Sequence, residues 1–199
     1  MVMAQRRSPT TRPQPRLDRE AWATQALTVL AANGLAAVAI EPIAKQLGAT
    51  KGSFYWHFRD RADLVDAALA LHEERATEAV ITALAAEPDP TVRLRTLFDR
   101  VLRSGDPGLT DLALLASADD PQVAPVLDRI THRRIGYLAE MFGALGEPRP
   151  RAHSRAVLAY TAYIGLLQAQ RATAYRLFSS ARQRNAYLDF LLPAISPPM

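Results

Sequence analysis

Apolar residues recur along this chain at intervals of three and four, and no long segment alternates at period two. That pattern predicts helices throughout and an all-α fold. Trp22, Ala26, Leu27 and Leu30 form one stripe between Asp18, a capping residue, and the stop at Asn33-Gly34, so the first helix is expected over 18–33. Two short helices follow, over 41–47 and 50–57, with Gly48 as the turn residue between them. Thr50 is placed to cap the second, because its hydroxyl can accept an N–H that has no partner inside the helix. Pro42 sits in the first turn of the first, where no N–H is missed. Ile43, Ala44, Leu47, Phe54 and Phe58 are spaced to face one core, which leaves Lys51, Ser53, Tyr55, Trp56 and His57 on the other faces.

A long helix is expected over 61–86, started by Asp63. Leu64, Val65, Ala68, Leu69 and His72 lie along one face, and Glu73, Glu74, Arg75 and Glu78 supply charge. Glu87-Pro-Asp-Pro90 breaks it. Helices are then expected over 91–103, 109–118, 121–145, 151–175 and 181–192, separated by Gly105-Asp-Pro-Gly108, by Asp119-Asp120-Pro121 and by Gly146-Glu-Pro-Arg-Pro150. The 151–175 segment is apolar on more than one face, so it must bury two. Ala159, Ala162 and Gly165 would allow a close helix approach there.

Composition narrows the chemistry. With 199 residues, about half of them hydrophobic, the chain can bury a real core. It has no cysteine, so disulfides and thiolate metal sites are excluded. It shows no apolar leader and no run long enough to span a bilayer, and the expectation is a cytoplasmic protein. No glycine-rich phosphate loop or histidine–carboxylate metal pattern is present, so neither an enzyme, a metal nor a cofactor is expected. Asp119 and Asp120 read as helix-start acids rather than catalytic carboxylates. His72 reads as an ordinary helix-face residue, and His132-Arg133-Arg134 as a solvated face.

Charge changes the picture more. Of the formal net charge of +4, residues 1–61 carry an excess of positive charge, with nine Lys or Arg against four Asp or Glu. The cations therefore sit beside the paired short helices, where phosphate binding would want them. Residues 1–16, with Arg6, Arg7, Arg12 and Arg16 among prolines and polar residues, are expected to be a disordered arm. It serves either as a reach toward DNA, Arg16 foremost, or as a solvated tail.

The segment IAKQLGATKGSFYWHFRDRADL, Ile43 to Leu64, closely resembles the helix-turn-helix of TetR-type bacterial transcriptional regulators. The resemblance covers roughly residues 17–70 and implies a three-helix DNA-binding head over 17–62 and a helical regulatory and dimerisation body over 63–199. Lys51 and Ser53 are then expected at base edges, with Gly52 allowing close backbone approach. Tyr55, His57 and Thr50 are expected at phosphates, Trp56 on the sugar–phosphate surface, and Lys45 and Arg61 as lesser phosphate contacts. Ala39 departs from the family's usual Ser or Thr, which puts contacts from Ala39 to Pro42 in doubt.

The resemblance also implies a homodimer on double-stranded operator DNA, paired through 151–173 and 181–192. It further implies a repressor released by a small hydrophobic or aromatic effector, with the 61–86 helix as the lever. The residues expected to line the effector pocket are Phe98, Val101, Leu112, Leu115, Tyr137, Met141, Tyr160, Tyr163 and Leu167. The competing expectation is a ligand-independent DNA-binding or scaffold protein with a filled body. A connected void of about 300 Å3 or more among residues 97–167 would separate the two.

Overall fold

A computed structural model describes residues 17–103, 106–172 and 177–195, and no strand occurs among them. The expected arm over 1–16, with its four arginines, lies outside the described residues, as do Gly105 and the stretch 173–176 at the end of the long 151–175 segment.

Helix α1 (Arg19–Asn33) begins where Asp18 Oδ1 accepts the Ala21 N–H at 2.8 Å and ends at Gly34, whose φ is 81°. Its buried residues Trp22, Ala23, Ala26, Val29 and Leu30 serve two partners, because α1 packs on both α4 (Arg61–Glu73) and α7 (Asp106–Leu115). Helix α2 (Ile40–Leu47) has no side-chain cap, as Ala39 dictates, and closes on Gly48 in the left-handed region at φ 64°. Thr50 does cap α3 (Lys51–Phe54), its Oγ1 accepting the Ser53 N–H at 3.1 Å. Helix α3 is shorter than the 50–57 expected. Past Phe54 the chain tightens, with Trp56 N–H bonding to Ser53 O and His57 N–H to Phe54 O, bonds three residues apart that close a helix end. This turn lets Phe54 and Phe58 stack at 5.3 Å, with Trp22 edge-on to Phe54 at 5.3 Å.

Asp60, rather than Asp63, caps α4 by accepting the Asp63 N–H at 2.9 Å. The Asp63 carboxylate instead accepts from Arg19 Nη2 at 2.7 Å and the Arg59 N–H at 3.1 Å, which ties the start of α1 to the end of the helix-turn-helix. The expected long helix is present but not uniform. Between α4 and α5 (Ala79–Ala85) the backbone widens into a π-turn, Glu74–Glu78.

The rest comprises α6 (Pro90–Arg103), α7, α8 (Val123–Ala144), α9 (Arg149–Ala172) and α10 (Ala181–Ile195). Helices α8 and α9 make the most extensive pairing, α6 meets α10, and α7 fits between α1 and α9. That last contact is close. A Cβ on Gly108 would lie 2.6 Å from Leu167 Cδ2.

Buried apolar side chains form two clusters. One gathers Trp22, Leu30, Ile43, Phe54, Leu64 and Leu69 and runs on into Leu114 and Ile130. The other gathers Val80, Phe98, Leu138, Phe142, Ala156 and Leu188. The first cluster crosses the 62/63 division drawn from the sequence. The first three helices and α4 share one core, and the change of core comes later, near the π-turn.

Candidate nucleic-acid interface and body cavity

The turn after Gly48 presents a compact set of side chains. Lys51, Gly52, Tyr55 and Trp56 are exposed, while Ser53 and His57 are half-buried. Trp56 is 87% exposed, an unusual position for an indole. Phe54 and Phe58 point inward and fix the turn from below. Lys45 is exposed on α2.

Lys51 Nζ lies 2.9 Å from Glu41 Oε1, so the cation expected at a base edge is held by a carboxylate on α2. The hydrogen bond between them lowers the Glu41 pKa and raises that of Lys51. Thr50 spends its acceptor on the Ser53 N–H and keeps its hydroxyl proton to donate. Arg61 does not stand free for a phosphate. Its Nε donates to Val38 O at 2.6 Å and its Nη2 to Leu35 O at 2.8 Å, bracing the loop between α1 and α2. Arg19, not singled out from the sequence, lies over the Phe58 ring at 4.3 Å and donates to His57 O and Asp63.

In the body, a cavity of about 70 Å3 lies between α5, α6, α8 and α9 with almost wholly apolar walls. Phe98, Val101, Tyr137, Tyr160 and Tyr163 meet around it. The other four residues expected there are placed elsewhere. Leu112 and Leu115 line an open groove between the end of α1 and the end of α9, beside Gln168 and Arg171. Met141 is fully packed in the second core cluster, and Leu167 is taken up by the close approach of α7.

Beside the cavity is a polar network that the sequence reading missed. Asp111 Oδ1 accepts from His72 Nε2 at 2.8 Å and Arg134 Nη2 at 3.2 Å. Its Oδ2 accepts from Arg134 Nη1 at 2.7 Å and Tyr163 Oη at 2.9 Å. Arg134 also donates from Nε to Thr77 Oγ1 at 2.9 Å and from Nη2 to Ala76 O at 3.3 Å. His72, Thr77 and Asp111 are buried, and Arg134 nearly so. His72 is therefore not an ordinary helix-face residue, and Arg134 does not belong to a solvated face. His132 and Arg133 do remain outside.

Burial pushes the Asp111 carboxyl up, but the His72 hydrogen bond and the Arg134 charge together outweigh it and hold the pKa at about 2. Burial and then the Asp111 charge push Tyr163 well above its ordinary value. One signal for the network was present in the sequence. Asp111 is a lone acid in the apolar run Leu109–Leu115, and such a charge is tolerated in a core only when paired.

A family model described as bacterial regulatory proteins, tetR family, matches residues 24–68. The HTH-type transcriptional regulator AcrR of Shigella flexneri is 35% identical over 80 residues, which cover 40% of this chain and 37% of AcrR. The match thus spans well under half of that relative. A transcriptional regulator from Rhodococcus sp. Rha1 superposes with a TM-score of 0.73 at 19% identity, covering 89% of this chain and 95% of that one. AibR, solved in complex with isovaleryl coenzyme A and operator DNA, superposes with a TM-score of 0.65 at 17% identity, covering 91% and 99%. No helix among the described residues is long and apolar enough to cross a membrane.

Proposed function

We propose that this chain, which belongs to the TetR family of bacterial regulatory proteins, is a sequence-specific regulator that binds a two-fold operator as a homodimer. The observation that carries the reading is the capped, Phe-anchored turn that holds Lys51, Tyr55 and Trp56 out of the fold beside a glycine. Lys51 and Ser53 are assigned to base edges near the start of α3. Tyr55, His57, Thr50 and Lys45 are assigned to phosphates, and Trp56 packs on the sugar–phosphate surface. The brace that Arg61 provides leaves it a supporting role behind this surface.

Glu41 pairs with Lys51 in the free protein, an exposed ion pair that a base acceptor or phosphate readily replaces. Selection of duplexes from a random pool tests the reading, and a motif with two-fold symmetry is the expected product. On that duplex Lys51→Ala costs about 1–3 kcal/mol and relaxes preference at one position. Equal loss on every sequence would remove Lys51 from base reading.

Pairing is assigned to α9 and α10. Leu158 on α9 is 54% exposed and Phe190 on α10 is 73% exposed, both large apolar side chains without cover in the single chain. Leu191, by contrast, is inside the chain's own core at 9%. A charge at Leu191 therefore tests folding, whereas one at Leu158 or Phe190 tests pairing.

Repression relieved by a small apolar or aromatic effector is the reading of the body. AibR was solved with both an acyl coenzyme A and operator DNA, and here a cavity with three tyrosines lies against the lever. A second reading, regulation without an effector, is favoured by the cavity volume. At about 70 Å3 it is far below the ~300 Å3 of an ordinary ligand site. An effector must therefore widen it, and the two readings part on whether small aromatic compounds raise the melting temperature.

A further inference from the structure

The lever changes winding at one place, and that place has its own fastening. Residues before the π-turn belong to the head's core: Leu64, Val65, Ala68 and Leu69 all join the Trp22 cluster. Residues after it, Val80 and Ile81, line the cavity. The turn itself, Glu74–Glu78, is held from both sides. On the head side Arg75 bonds to Glu20 and Thr24 of α1. On the body side Arg134 of α8 bonds to Thr77 Oγ1 and Ala76 O, and through Asp111 of α7 it reaches His72, the last buried residue of α4. Arg134 and Thr77 are also cavity-wall residues.

A π-turn carries one residue more than the α-helix needs, and its position along a rod sets the relative rotation of the segments on either side. One residue of α-helix is about 100° of rotation and about 1.5 Å of rise. Even a fraction of this redirects the head. Such a turn is held less firmly by its own backbone than an α-turn, so side-chain anchors decide where it stays. Arg133 of α8 adds an exposed ion pair to Glu78 at 3.0 Å, but the buried anchors on the body side converge on one guanidinium that borders the cavity.

We propose that Arg134, Thr77, Asp111 and His72 form a latch that pins the π-turn and thereby fixes the angle between the head and the paired body. The inference rests on the reading of the chain as a two-site DNA binder, and it identifies where that site's geometry is set.

The test varies the distance between half-sites. Duplexes carrying the selected motif are made with its two halves moved closer or farther by one and two base pairs, and affinity is measured for each. The wild-type protein favours one spacing by about tenfold or more, since rigid heads fit successive grooves at one separation only. Thr77→Val keeps the side chain's shape but removes the oxygen that Arg134 Nε uses. It is expected to flatten the profile to within about threefold while leaving affinity for an isolated half-site unchanged. Thr77→Ser keeps the oxygen and restores the wild-type profile.

A general folding defect would lower all spacings and the half-site together. A Thr77→Val protein with the wild-type spacing profile, or one that loses half-site binding to the same degree, overturns the latch. A wild-type protein with no spacing preference overturns the two-site reading and the latch together.

Discussion

Asp111→Asn is expected to destabilise the protein by about 3–5 kcal/mol, the usual cost of leaving one partner of a buried ion pair uncompensated. In a chain of this size that lowers the melting temperature by on the order of 10 °C. Four donors converge on this carboxylate: His72 Nε2, Arg134 Nη1 and Nη2, and Tyr163 Oη. Asparagine offers one oxygen in place of two and points an NH2 group at donors. The double variant Asp111→Leu with Arg134→Met should recover only part of the loss, because it removes the uncompensated charge but leaves His72 Nε2 and Tyr163 Oη without their acceptor. An Asp111→Asn protein that melts within a degree of wild type would show that the network is not paired as described.

The same carboxylate makes an acid signature. Its folded pKa of about 2 lies below its ordinary value of 3.8. The stability it contributes is therefore complete above pH ~4 and is lost as pH falls through about 2. Asp111→Asn should remove that part of the acid unfolding slope and leave the remainder.

Leu158→Glu is expected to split dimers into folded monomers and to lower affinity for a two-half-site duplex by about 10²–10⁴, the gain that linkage of two sites provides. The substitution has little to disturb within one chain, since more than half of Leu158 is already outside. Helical content and binding to a single half-site should stay as they were. Sedimentation decides it: a Leu158→Glu protein that remains dimeric moves the pairing surface off α9.

The elements of this fold were legible because the helices have strong stops and, in the head, clean faces. Asp18, Gly34, Gly48 and Thr50 act where their chemistry says they should. The turn of the helix-turn-helix was legible for the same reason, and its exposed set follows from placing Phe54 and Phe58 inward. The length of α3 was not, since helical period cannot distinguish an α-turn from the tighter bonds that follow Phe54.

The cavity was half legible. Phe98, Val101 and the tyrosines lie on faces that a period of 3.6 assigns to the interior, but the same rule admits Met141 and Leu167, which are simply packed. Which interior residue meets a void depends on contacts between helices far apart in sequence. The His72–Asp111–Arg134 network was missed because charged residues were assigned to water one at a time. Their pairing spans separations of 39 and 23 residues, which no local pattern records. The spacing Ile130, Arg134, Tyr137, Met141 did place Arg134 on a buried face.

The two tryptophans occupy opposite extremes, and this equips the protein with optical reporters of its own. Trp22 is 0% exposed, edge-on to Phe54 in the middle of the head, and Trp56 stands in water at the tip of the proposed DNA surface. Emission from the first is expected to be blue-shifted and to track whether the head is folded. Emission from the second is expected to be red-shifted, open to quenching by iodide, and shielded if a duplex covers it. With no other indole in the chain, one fluorescence spectrum separates loss of structure from occupancy of the surface, without a label.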